Sequence, residues 1–190
     1  MSGNSQNSTK QHLNIPLCLP DKVATKKKVF EQNLKHEGYW SYKELYDFSY
    51  LYLKEEDFVL FEKKYEEKVN ERGKDLKVDW YVYRKVTDYF KYTFDIQWRV
   101  RGLVDAEAEV GGKKTKTNKG EIKVKVIGIL ERDYEEKWEK KPLWKFLRGI
   151  YDKYIMRTTI DEHEEKLVNE ATDFFNELKS FLNLESQQSS

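Results

Sequence analysis

One run near the middle of the chain constrains the fold more than any other feature. Phe90, Tyr92, Phe94, Ile96, Trp98 and Val100 alternate with Lys91, Thr93, Asp95, Gln97 and Arg99. Only a β-strand sends successive side chains to opposite faces, so this segment has one dry face and one wet face. Such a strand belongs in an antiparallel sheet packed on one side, and something apolar must cover its rings.

The neighbouring segments repeat the pattern. Leu76, Val78, Trp80 and Val82 alternate with Lys77, Asp79 and Tyr81, and Ile122, Val124, Val126 and Leu130 share a face opposite Lys123 and Lys125. An earlier strand, Phe58 to Val69, sets Val59, Phe61, Tyr65 and Val69 on one side, and a short first strand runs from Lys28 to Glu37, ended by Gly38. Gly73 and Thr87-Asp88 suit turns. The glycines and asparagine of Gly111 to Gly120 predict a hairpin tip that carries Lys113, Lys114, Lys116 and Lys119 in one loop.

Helical periodicity replaces the alternation in three places. Ser41 and Glu44 have capping-box spacing ahead of Leu45, Phe48 and Tyr52, which predicts a helix from Ser41 to Lys54. Pro142 suits a first helical position before Leu143, Leu147, Ile150 and Tyr154. Thr159 and Glu162 open a second capping box, and Ile160, Leu167, Ala171, Phe174, Leu178 and Phe181 follow, broadened by Val168, Phe175 and Leu182. That stripe is wide enough to lie across a sheet rather than along a narrow coiled-coil seam.

The predicted order is β-α-β-β-β-β-α-α, an α+β domain with a long, twisted antiparallel meander of about five strands packed by a C-terminal amphipathic helix. In element order and aromatic content it resembles the helix-grip arrangement of the START and Bet v 1 type, although one helix stands where a pair usually follows the first strand. The domain is expected to span residues 25–185. Residues 1–24, polar and containing Pro16 and Pro20, and residues 186–190 are expected to be disordered tails. The apolar piece from Leu13 to Pro20 is a candidate for docking onto the domain or a partner.

Chemistry is constrained chiefly by what is missing. The nine glycines form neither a dinucleotide fingerprint nor a P-loop, and there is no Gly-x-Ser-x-Gly elbow. Of the three histidines, His163 begins like a zincin helix, but Leu167 occupies the place of the second ligand, so His163 reads as a surface residue in a charged first turn. The carboxylate runs, such as Glu55-Glu56-Asp57, lie beside lysines as solvated surface. No catalytic residue, metal ligand or cofactor is expected.

Cys18 is the single cysteine, which excludes an internal disulfide and suits a reducing compartment. With no signal-peptide layout and no long apolar run, the expectation is a cytoplasmic protein without a transmembrane segment. Basic and acidic residues, 35 against 34, nearly cancel. A phosphate-backbone partner would need a local patch, for which the lysines of the hairpin tip and the cluster Lys22, Lys26, Lys27 and Lys28 are candidates. Arginine is scarce, so sequence-specific nucleic-acid recognition is not indicated.

The positive signal is aromatic content of 15%, with 13 tyrosines and 5 tryptophans. Bulky rings that fail to interdigitate leave room for a ligand. The leading expectation is a non-catalytic protein holding an apolar or aromatic small molecule, a lipid included, between the sheet residues Trp80, Phe90, Tyr92, Phe94 and Trp98 and the helix residues Phe174, Leu178 and Phe181. The alternative is a protein-contact module using Tyr81, Tyr83 and Tyr89 on the opposite face. Packing decides between them: tight contact beneath the last helix moves function to the surface, and a gap there would be the site.

Overall fold

The computed structural model describes residues 25–110, 113–135, 150 and 156–188. Five strands, β1 (Thr25–Trp40), β2 (Val59–Asn70), β3 (Gly73–Lys85), β4 (Phe90–Val110) and β5 (Lys113–Arg132), form one open antiparallel sheet in the order β1-β5-β4-β3-β2. Two helices are described, α1 (Tyr42–Glu55) and α2 (Arg157–Gln188). The fold class read from the alternation is the one found. The helix expected after Pro142 lies, apart from Ile150, outside the described residues, as do residues 1–24 with the Leu13 to Pro20 segment.

Topology explains α1. Strands β2 to β5 pair in sequence, but β1 joins the far side of β5, so the chain must cross from one sheet edge to the other before β2. Four interstrand spacings amount to about 19 Å. The 14 residues of α1 reach about 21 Å. The Ser41 hydroxyl accepts the Glu44 N–H at 3.3 Å, the cap expected from sequence.

The dry face is continuous. Leu76, Val78, Trp80 and Val82 of β3, the even-numbered residues from Phe90 to Val100 of β4, and Ile122, Val124, Val126 and Leu130 of β5 are all buried. Helix α2 lays Leu167, Ala171, Phe174, Phe175, Leu178 and Leu182 against β1, β5 and β4, while α1 covers the side nearer β2. Arg84 fastens the two layers. Its guanidinium donates to both Glu170 carboxylate oxygens (2.6 and 2.7 Å) and to the Glu56 carbonyl (2.6 Å), and lies 4.5 Å from the Phe58 ring centre.

Three local readings are corrected. Gly38 does not end the first strand; it pairs with Gly120, and β1 continues to Trp40. The segment after Gly112 is not a loop, because β5 begins at Lys113 directly opposite Val110. Gly120 is needed there for space: a Cβ would stand 3.2 Å from the Arg101 carbonyl oxygen, where the β4 register shifts between Arg101 and Val104. Finally, β2 does not carry Val59, Phe61, Tyr65 and Val69 on one side. A bulge between Glu62 and Lys64 inserts a residue, so Phe61 pairs with Tyr81 on the outer face whereas Tyr65 pairs with Val78 on the inner one.

Candidate functional site

The eight residues expected to hold a ligand beneath α2 do converge, but as packed core. Trp80, Phe90, Tyr92, Phe94, Trp98, Phe174 and Leu178 are each at most 3% exposed. Phe181, partly buried, stacks on Phe48 of α1 at 5.2 Å. Phe58 meets Phe94 at 5.0 Å and Tyr52 meets Phe174 at 5.5 Å. A void lined by Tyr52, Leu53, Phe58, Phe94 and Phe174 measures about 50 Å³. That is room for a water molecule or two, far below the ~300 Å³ at which small-molecule sites begin.

His163 belongs to the same seam. Its ring lies 4.1 Å from that of Phe90, and its Nδ1 is 2.8 Å from the Tyr92 hydroxyl. Burial, then the nearby Lys166, lowers its pKa from the ordinary value. It is a half-buried packing residue, not a surface one. Four residues before Leu167, it lies on the same helical face as the apolar stripe, which its polar type and charged neighbours conceal.

Open space lies at the other end of the inner face, beyond the first turn of α1. A cleft of about 420 Å³ is lined by Tyr42, Lys43, Tyr65, Glu67, Val69, Leu76, Leu103 and Val104, among others. Beside it, a recess of about 270 Å³ is lined by Tyr42, Lys43, Tyr46, Asp47 and Tyr65. They share Tyr42, Lys43 and Tyr65.

An aromatic run backs this region. Ring centres follow one another from Trp40 to Tyr42 (6.2 Å), Tyr46 (6.0 Å), Trp80 (4.8 Å) and Trp98 (5.2 Å). Among the polar tips of the run, the Tyr42 hydroxyl and the Trp98 indole N–H are buried without a hydrogen-bond partner. The Tyr46 hydroxyl donates to Glu62 at 2.9 Å and the Tyr65 hydroxyl to Glu67 at 3.3 Å. All three phenols have raised pKa values. Burial is the largest cause in each; the Glu62 carboxylate adds to it in all three and Glu67 in Tyr42 and Tyr65, and Tyr46 is pushed up to about 12.

Sequence reasoning missed this site because two of its three tyrosines sit on α1, and the bulge in β2 turns the third, Tyr65, inward. The signal that was present was the spacing of Tyr42 and Tyr46, one helical turn apart.

A larger recess, about 1080 Å³, lies elsewhere, around Glu37, Arg72, Asp75, Arg101, Lys119 and Glu121. Two of its carboxylates already have partners. Asp75 accepts the Gly102 N–H (2.8 Å) and the Asn70 amide (2.7 Å), and Glu121 pairs with Lys123 (3.0 Å) and Lys35 (3.7 Å).

The lysine clusters do not combine. Lys116 stands across from Glu107 in the β4–β5 ladder, and Lys119 lies over the Tyr39 ring at 5.3 Å. The backbones of Lys113 and Lys114 face Val110 and Glu109, and their side chains lie outside the described residues. At the opposite end of the β1–β5 ladder, Lys26 pairs with Glu131 (3.1 Å), Lys27 with Glu164 (2.7 Å) and Lys28 with Glu31. On the outer face Tyr81 and Tyr83 lie 5.8 Å apart, and Phe61 stacks on Tyr83 at 6.0 Å. Tyr89 instead packs against Phe90 at 5.1 Å, so it does not join that group.

These features define an open-sheet α+β protein with a closed core and an aromatic cleft at one end of its inner face. No protein-family model, no curated protein and no solved structure matches the chain. Among the described residues, no helix is long and apolar enough to cross a membrane.

Proposed function

We propose that this chain is a non-catalytic binding protein for an apolar or aromatic small molecule, held in the cleft beside Tyr42 and Tyr65 rather than beneath the C-terminal helix. The observation that carries the reading is the Tyr42 hydroxyl, buried without a partner in a residue that lines both the cleft and its recess. A buried unsatisfied hydroxyl costs roughly 1–3 kcal/mol, a cost that a ligand acceptor removes on binding. Leu76, Leu103 and Val69 supply apolar wall, and the cleft volume falls within the range of small-molecule sites. With Cys18 as the single cysteine, the setting proposed is the cytoplasm.

Titration of the ¹⁵N-labelled chain with small aromatic fragments tests the reading. Shifts are expected to cluster at Tyr42, Tyr65, Leu76 and Leu103 and to spare Phe174 and Leu178. Shifts centred on Phe174 would return the site to the core, and none at millimolar fragment would end the reading.

A second reading has one observation in its favour. Phe61, 53% exposed, stacks on Tyr83 from β2, the edge strand of the sheet among the described residues, as a protein-contact surface would. Light scattering across a concentration series tests it: self-association that Phe61→Lys abolishes supports it, and a monomer throughout that also captures no partner removes it.

A further inference from the structure

The recess at the mouth of the cleft differs in kind from the cleft itself. Tyr42 and Tyr46 come from one face of α1, and Tyr65 reaches the same recess from β2 only because the bulge at Lys63 reverses its direction. Three phenol rings therefore border a space of about 270 Å³, with Lys43 and Asp47 at its edge. Behind the rings stand Glu62, which accepts the Tyr46 hydroxyl, and Glu67, which accepts that of Tyr65.

The sign of the local field follows from these groups. Glu62 acts on all three phenols, and Glu67 on Tyr42 and Tyr65, in the direction that disfavours further negative charge on them. Lys74 is paired with Glu67 at 3.4 Å, and Lys43 lines the recess together with the oppositely charged Asp47, both of them exposed. The face of a phenol ring is itself the negative end of a quadrupole and attracts a cation within ~6 Å of its centre. A neutral apolar guest would gain from the rings but nothing from Glu62 and Glu67.

We infer that the recess formed by Tyr42, Tyr46 and Tyr65 binds a small organic ammonium ion, its charged, alkylated nitrogen against the ring faces and Glu62 and Glu67 behind the rings. This rests on the ligand-binding reading above and assigns the chemical class of the ligand. Alkylation suits the site because methyl groups spread the charge over an apolar surface that rings can surround without competing for a tight hydration shell.

The test uses the full chain and two probes of nearly equal shape, choline and its uncharged carbon analogue 3,3-dimethylbutan-1-ol, followed by ¹⁵N chemical shifts. Choline is expected to bind at least ~10-fold more tightly than the alcohol, as cation–π and carboxylate attraction require. Tyr65→Ala and the isosteric Glu62→Gln are each expected to erase that preference, and thermal melts will show whether the variants remain folded. Equal binding of the two probes at the cleft would overturn the ammonium assignment and leave the ligand-binding reading intact. Absence of shifts with both probes and with the aromatic fragments would overturn both. Co-sedimentation with phosphatidylcholine vesicles that Tyr65→Ala abolishes would identify a lipid headgroup as the source of the ammonium. Choline binding without co-sedimentation would identify a free solute.

Discussion

Phe174→Ala is the perturbation that bears most directly on where a ligand can sit. Phe174 is 1% exposed, its ring lies 5.5 Å from that of Tyr52, and it borders the void of about 50 Å³ under α2. Truncation removes a phenyl group from a close-packed seam. A residual cavity of about 100 Å³ at ~24 cal/mol per Å³ costs about 2.4 kcal/mol. Lost transfer energy of the buried ring adds about 2 kcal/mol. The expected total, about 4 kcal/mol, is a large part of a domain's usual 5–15 kcal/mol. Urea unfolding followed by tryptophan fluorescence measures it, with the midpoint falling and the slope unchanged. A loss below ~1 kcal/mol would mean that the seam is loosely filled. The case for a solid core, and for a ligand outside it, would then fail. A second readout is binding: the enlarged void is apolar on the sheet side and should admit benzene in the variant but not in the parent.

Other outcomes follow from the same geometry. Glu131, 2% exposed, accepts from Lys91 at 2.6 Å and Thr93 at 3.2 Å and pairs with Lys26 at 3.1 Å; burial pushes its pKa up, but the two lysines outweigh burial and hold it below the ordinary value. A carboxyl lowered by folding stabilises above its unfolded pKa of ~4.3, and the contribution is lost as pH falls through the folded value. Glu131→Gln should therefore cost roughly 2–4 kcal/mol at neutral pH in urea titrations, with the deficit shrinking toward the acid end. Tyr42→Phe should leave the free protein as stable or more stable by about 1 kcal/mol, since it deletes an unpartnered hydroxyl, while weakening ligand binding. Gly73→Ala should destabilise by about 2 kcal/mol or more in thermal melts, because the residue sits at φ +119° and a Cβ would meet the Leu103 carbonyl oxygen at 2.7 Å.

The sequence by itself determined the layers. Alternation along β3, β4 and β5 and the wide apolar stripe of α2 left one arrangement in which every large ring is covered, and the Ser41 cap set the start of α1. These are local signals, carried by periodicities of two and 3.6, and tertiary structure had no reason to override them. The basic loop was misread because Gly120 looks like turn chemistry in one dimension, whereas its role is to let β5 pass close to the β4 bulge.

Tertiary structure alone decided the rest. Whether Trp80, Phe94 and Phe174 would interdigitate or leave a gap depends on ring orientations, which composition does not contain. The candidate site depends on a single inserted residue in β2, since the bulge at Lys63 keeps Phe61 outside and brings Tyr65 in to face Tyr42 and Tyr46. A period-two pattern fixes a face only while pairing stays in register, and register is a property of two strands together.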